Sequence, residues 1–367
     1  MNRKNGKILV FGGSFDPAHK AHLEVLRDAI SFIGTNKVII VPSWLSPFKN
    51  SHWASYGQRK KMLSEALKEY SLANLCEISD FEAKKRKKTY TWQLIKYLKK
   101  KYPYSELFFL MGSDSFLSLK KWKKPGYIRK NCKIIVARRK GFETDKTNGI
   151  LFLNKLYPSL SSTEAREKIL KKDFSLLPKS VKKEIISKKL YFYPIADSIS
   201  KILSKKRFNH TLAVCRLARE LSEIWDANSK KAVLAALIHD CAKEFPLNKQ
   251  LKIAGKIFPK KDLYIKAKKA PGIIHQYASA AYARYNLSVK DKEILKAAAS
   301  HSLGKKNPNK LSQIIEISDF ASYDRRHKNA QKIRRTALKS LKKAFKQMRE
   351  EKRKYLKNIK AEILPYE

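Results

Sequence analysis

Negative charge is scarce in this chain. Against 81 Lys and Arg stand 32 Asp and Glu, which leaves a formal net charge of +49 over 367 residues. Such a surplus points to anionic partners, either nucleic acid or polyanionic small molecules. Arg is the minor part of it, 18 of the 81, and Arg forks are what dedicated base or phosphate recognition favours. The lysines are dispersed (84–88, 120–124, 182–189, 266–269, 339–360), so attraction of anionic substrates is the first reading and polyanion binding the second. No run of about 18 uncharged apolar residues exists to span a bilayer. The opening MNRKNGKILVFGG has too short an apolar run for a signal segment, so a cytoplasmic location is expected. The four cysteines form no Cys-x-x-Cys pair, which argues against a disulfide framework and a thiolate zinc site. The glycines complete neither G-x-G-x-x-G nor G-x-x-x-x-G-K-[ST], and no internal repeat is apparent.

What is present is a chain long enough for two cored domains. Apolar runs at 7–13, 36–42, 74–79, 106–114 and 132–139 alternate with helical spacing at 20–33, 58–70 and 89–103. That alternation predicts a Rossmann-like parallel α/β sheet covered by helices, with ligands beyond the carboxyl ends of the strands. From about residue 198 onward only helical periodicity remains: 199–205, 209–225, 229–241, 276–285, 290–300, 311–321 and a long basic helix over 327–358. The expected division is 1–192, a linker at 193–197, and an all-α domain over 198–367.

In FGGSFDPAHKAHLEV, Gly12 and Gly13 let backbone amides approach a phosphate, and the next helix presents its positive end. His19 and His22, three apart, share one helical face and can donate together to a polyphosphate. The stretch resembles the G-G-x-F-D-P-x-H-x-G-H signature of the nucleotidylyltransferases, with Ala21 in place of the last glycine. LSSTEAREKI resembles their S-S-T-x-x-R motif. KKTYTWQLIKYLKKKYP, ELFFLMGSDSFLSLKKW and VARRKGF are similar, in order, to bacterial nicotinate-nucleotide adenylyltransferases. VPSWLSPFK resembles their substrate loop, with Phe48 where a histidine is usual.

This resemblance implies attack of the nicotinate mononucleotide 5′-phosphate on the α-phosphate of ATP, with Mg²⁺ and pyrophosphate leaving. His19 and His22 would serve catalysis, alongside Arg166. The ATP-binding set would be Gly12, Gly13, Ser14, Phe15, His19, His22, Gly112, Asp114, Arg139, Ser161, Ser162, Thr163 and Arg166, the last four at the β,γ-phosphates. Lys49, Thr89, Tyr90 and Trp122 would address the pyridine nucleotide. Nicotinate and nicotinamide mononucleotide stay undivided at this level.

ALIHDCAKEFP places His239 beside Asp240 in an apolar helix, where burying both needs a compensating charge. His210, His275, His301 and Asp319 supply the same chemistry elsewhere in the helical half. Imidazole with carboxylate suits Fe, Mn or Zn, and six ligands suit two ions with Asp240 as the bridge. The pattern resembles the HD phosphohydrolases. KRFNHTLAVCRLARELS, KKAVLAALIHDCAKEFP and SHSLGK are most similar to the YqeK-type bacterial members. Those hydrolyse diadenosine tetraphosphate symmetrically to ADP at a di-iron centre. The resemblance implies His210, His239, Asp240 and Asp319 on one metal, Asp240, His275 and His301 on the other, and Lys243 (as a catalytic cation) and Arg325 as phosphate clamps. The expectation is a bifunctional enzyme. Two rivals stand beside it: a general nucleotide phosphatase in the second half, and a basic nucleic-acid-associated protein.

Overall fold

The computed structural model describes residues 6–45, 51–144 and 148–358, with side chains as far as 354. The chain divides into two compact units between Tyr191 and Phe192, with Leu170–Lys172 counted in the second.

The first unit is a six-stranded parallel sheet: β1 (Lys7–Gly13), β2 (Val38–Pro42), β3 (Cys76–Ile78), β4 (Glu106–Gly112), β5 (Lys133–Arg139) and β6 (Ile150–Tyr157). The strand order is β3-β2-β1-β4-β5-β6. Helices cover both faces, which is why the central strands read as unbroken apolar runs. Ile8–Phe11 are all buried in β1, and Leu107–Met111 in β4. One face packs Val10, Ile39, Phe109 and Val136 against Leu94, Ile95 and Leu98 of the helix Thr91–Lys101. Gly13 pairs with Pro42 and Phe11 with Leu110, so β1 and β4 lie side by side at the point where strand order reverses. A crevice opens there beyond the carboxyl ends of such strands. Strand β6 was not expected from sequence. Its signal, ILFL after Asn148-Gly149, is short, and as an edge strand it alternates poorly, with Leu153 and Tyr157 its buried residues.

The second unit is wholly helical among its described residues. Most of its helices begin at polar caps whose side chains accept an orphan N–H. Ser204 accepts from Arg207, Asn228 from Lys231, and Asn309 from Ser312. Three expectations are corrected. The linker 193–197 lies inside a helix, Tyr193–Ser200, because Pro194 sits at a helix-initiating position. The helix expected over 199–205 is the end of that element, and Ser204 caps the next, Lys205–Ile224. The long basic helix is two, Lys328–Ala337 and Leu341–Asn358, since Ser340 restarts the chain by accepting the Lys343 N–H at 3.3 Å. The helices Leu247–Ala254 and Lys260–Lys269 were also missed. Each follows a proline, Pro246 and Pro259.

Candidate active sites

His19 caps the helix Lys20–Ile33, and His22 stands one turn in. Their rings stack at 3.6 Å between centroids. The His19 backbone N–H donates to Nδ1 of His22 at 3.2 Å. An imidazole that accepts at Nδ1 can carry a proton only on Nε2. Burial pushes the His19 imidazole well below its ordinary range, and His22 and Arg139 add to this, so His19 is neutral. Its Nδ1 is buried without a hydrogen-bond partner. Both histidines line a cavity of about 320 Å³ with Asp114, Arg139 and Ser161–Thr163. Arg139 donates from Nη1 to Asp114 Oδ2 at 2.8 Å, and from Nη2 to the Leu160 carbonyl. A Cβ at Gly112 would fall 2.4 Å from Asp114 Oδ1 and so would displace that carboxylate. Gly13 would meet the Phe15 ring at 3.0 Å. Phe15 is itself buried and presents its ring to His22 at 5.0 Å. The helix Ser162–Leu170 turns its N-terminus, a natural anion site, to this cavity.

Arg166 is the exception in the expected set, because it does not line the cavity. A buried guanidinium must satisfy its own donors, and here they are turned inward. Nη1 donates to the Asp16 carbonyl at 2.7 Å and Nη2 to Thr163 Oγ1 at 2.9 Å. Two residues not singled out from sequence complete this support. Asp16 accepts the N–H groups of Trp53 and Ala54 (2.6 and 3.0 Å) and the Tyr191 hydroxyl (2.8 Å). Although burial opposes it, His52, Arg166 and the Trp53 N–H hold the Asp16 carboxyl down at about 2. Arg59 is 1% exposed and donates to the carbonyls of Ser14, Ser43 and Ala54. A charged residue in the apolar spacing of QRKKMLSEAL was the available clue.

A second cavity, about 590 Å³, shares Gly12, Gly13, Ser14, Phe109 and Trp122 with the first and adds Thr89 and Tyr90. The expected phosphate and pyridine residues therefore meet along one cleft, with Trp122 common to both sides. The Trp122 ring packs edge-on against Phe109 and donates from Nε1 to Ser118 Oγ at 3.2 Å. Glu82, also missed from sequence, lines this side and accepts the Trp44 N–H at 3.1 Å. Lys49 lies outside the described residues.

In the second unit five segments bring the six expected ligands together. His210 Nε2 is 3.0 Å from Asp319 Oδ1, and His239 Nε2 is 3.9 Å from the same oxygen. Asp240 lies between the imidazoles. Its Oδ2 is 3.6 Å from His239 Nε2, and its Oδ1 is 3.1 Å from His275 Nε2 and 3.4 Å from His301 Nε2. The four rings are oriented alike. Nδ1 of His239, His275 and His301 meets the carbonyl three residues back (Ala236, Gly272, Ala298) at 2.6–2.7 Å. Nδ1 of His210 meets Asp324 Oδ2 at 2.8 Å. With Nδ1 so engaged, Nε2 of all four rings points into the cluster, the orientation a metal-binding histidine needs. Although burial opposes it, the Asp319 and Asp324 carboxylates hold His210 up at about 9. Burial pushes His239 down to about 4, so this imidazole is neutral. Its Nε2 and Asp240 Oδ1 are buried with no hydrogen-bond partner. Unpartnered donor atoms in a buried space call for a cation. Two groups, His210–His239–Asp319 and His239–Asp240–His301, each have their ligand atoms close enough to hold a metal ion. Cations also ring the cluster. Arg207 Nη1 reaches Asp240 Oδ2 at 3.0 Å, Lys243 Nζ lies 2.9 Å from His275 Nδ1, and Arg325 Nη2 is 3.6 Å from Asp319 Oδ1. Arg207 and Asp324 were not expected.

Residues 10–168 match the family described as cytidylyltransferase-like, and residues 207–333 match the HD domain. A Mycoplasma genitalium protein named "Probable nicotinate-nucleotide adenylyltransferase/Ap4A hydrolase" is 32% identical over 85% of this chain and 86% of its own length. A Mycoplasma pneumoniae protein of the same name is 28% identical over 85% and 87%. A "Probable nicotinate-nucleotide adenylyltransferase" of Aliarcobacter butzleri is 35% identical over 49% of this chain and 96% of its own.

Proposed function

The chain belongs to the family of the two-part nicotinate-nucleotide adenylyltransferase/Ap4A hydrolases, and from that membership we propose that it carries both reactions, each in its own unit. Residues up to Tyr191 transfer AMP from ATP to nicotinate mononucleotide, and those from Phe192 hydrolyse diadenosine tetraphosphate to two ADP.

The observation that carries the first reading is the stacked His19–His22 pair, which lines one cavity with Asp114, Arg139 and the start of the helix Ser162–Leu170. The attacking 5′-phosphate oxygen is already an anion, so no general base is required. It bonds to the α-phosphorus, and the bond to the bridging oxygen breaks to release pyrophosphate. Charge accumulates on the phosphoryl oxygens, and His22, His19 and the helix at Ser162 are placed to stabilise it. Asp114 and Arg139 order the adenosine side, and Thr89, Tyr90 and Trp122 hold the pyridine. Arg166, Asp16 and Arg59 hold the loop that carries the histidines. Mg²⁺ bound with ATP would supply charge neutralisation at the phosphates.

The second reading is supported by the buried, inward-facing donors. His210, His239, Asp240 and Asp319 would hold one ion and Asp240, His275 and His301 the other, and we assign iron to both. Two such ions would supply Lewis acidity toward the phosphoanhydride. Arg207, Lys243 and Arg325 neutralise a polyphosphate beside them. The test is product analysis of the purified chain. ATP with nicotinate mononucleotide should yield deamido-NAD and pyrophosphate, and diadenosine tetraphosphate should yield ADP alone. His22→Ala should abolish the first and leave the second within a few-fold, and Asp240→Ala should do the reverse. Products other than these, or loss of both activities in either variant, would overturn the assignment.

A further inference from the structure

The C-terminal basic helix, Leu341–Asn358, is not used by either reaction. Its lysines read from sequence as solvated charge. The structure gives one of them a different part. The segment carrying His301 has left the helix Lys292–Ala298. A Gly304 N–H to Ser300 carbonyl bond (2.7 Å) closes its turn, and Gln276 Oε1 accepts the N–H groups of Ser302 and Leu303 at 3.0 and 3.3 Å. Its carbonyls are taken by two cations of the C-terminal helix. Lys352 Nζ donates to the carbonyls of His301 at 3.1 Å and Ser302 at 3.3 Å. Arg349 Nη2, one turn earlier, donates to the Lys305 carbonyl at 2.6 Å. Arg349 is in turn fixed 3.5 Å from Glu316, which is 1% exposed and lies three residues before Asp319 on the helix Lys310–Ala321. The same helix thus touches the turn of one expected ligand and the element of another. His301 is held at its ring by Ala298 and at its backbone by Lys352.

We propose that Lys352 is a positioning residue for the metal centre: by gripping the His301 and Ser302 carbonyls it fixes the His301 imidazole for the ion that His301 shares with His275 and Asp240. The proposal rests on the metal-centre reading above, but not on the identity of the substrate. An ammonium suits this role because it offers three donors to converging carbonyls. Outer partners of this kind typically change metal affinity by about 10–100-fold when removed.

The experiment is titration of the chelator-stripped full chain with Co²⁺, followed by the visible absorption of the bound ion. Wild type should take up two ions. Lys352→Met should bind the first ion as wild type does and the second at least about tenfold more weakly. Lys352→Arg, which keeps charged donors, should restore the second ion to within about threefold. Lys342→Met, an exposed lysine on the same helix, should change nothing. Two ions held at wild-type affinity by a folded Lys352→Met chain would overturn the proposal, as would equal weakening in Lys342→Met. Should Lys352→Met not fold, Lys352→Gln decides, since its shorter amide cannot span both carbonyls and must weaken the second ion. Unchanged affinity there overturns the proposal as well. A wild-type chain that binds two Co²⁺ yet leaves diadenosine tetraphosphate intact would overturn the hydrolase reading while leaving the positioning claim standing.

Discussion

The two oxygens of Asp240 face different histidines, Oδ2 toward His239 and Oδ1 toward His275 and His301. Its loss should therefore exceed that of any terminal ligand. Elemental analysis should find about two metals per wild-type chain, about one in His275→Ala and close to none in Asp240→Ala. Two metals retained by Asp240→Ala would exclude a bridging role. Glu82 makes a second test at this scale. Burial pushes its carboxyl up to about 7, more than the Trp44 N–H pulls it down. A carboxyl raised in the folded state favours folding while protonated. Its contribution is fully present below its ordinary range near 4.5 and is lost as the pH rises through about 7. Glu82→Gln imitates the protonated form. Its melting temperature should match wild type at pH 5 and exceed it at pH 8, and parallel pH profiles would refute the burial argument.

The helix Tyr56–Glu69 shows how an element serves a site it does not enter. Ser55 Oγ accepts the Gln58 N–H while Gln58 Oε1 accepts the Ser55 N–H, a reciprocal cap at its start. The helix then delivers Arg59 to the carbonyls of Ser14 and Ser43, beside β1 and β2. Ser55→Ala should lower stability by about 1 kcal/mol, read from denaturant unfolding of the full chain. Arg59→Met should do more, by roughly 3–5 kcal/mol, because it leaves the Ser14, Ser43 and Ala54 carbonyls without their donor. A stability unchanged in Arg59→Met would show that the loop is held by other contacts.

Across the whole molecule the charge surplus is matched to the proposed substrates, all of them polyanions. No helix among the described residues is long and apolar enough to cross a membrane. If the surplus serves to draw in substrate, KM for diadenosine tetraphosphate should rise several-fold between about 50 and 300 mM salt while kcat changes little, because screening weakens capture and leaves buried contacts intact. A KM insensitive to salt, together with tight salt-dependent retention on nucleic acid, would favour the nucleic-acid reading of the same lysines.

Local patterns in the sequence determined the two-part architecture, five of the six strands, and the residue types of both sites. Apolar runs ending in Gly12-Gly13 and Gly112, and a His-Asp pair in an apolar helix, have few physical uses. Tertiary structure alone decided which groups meet. His210 and Asp319 are 109 positions apart, and no periodicity expresses a 3.0 Å approach over that separation. The supporting residues Asp16, Arg59, Glu82, Asp324 and Lys352 were illegible for a related reason. Each is a charged side chain whose meaning lies in the carbonyls, N–H groups or ring nitrogen it faces, and those come from other segments. Arg166 shows the converse: a motif named the residue, but the burial of its guanidinium decided that it supports the loop rather than lines the cavity.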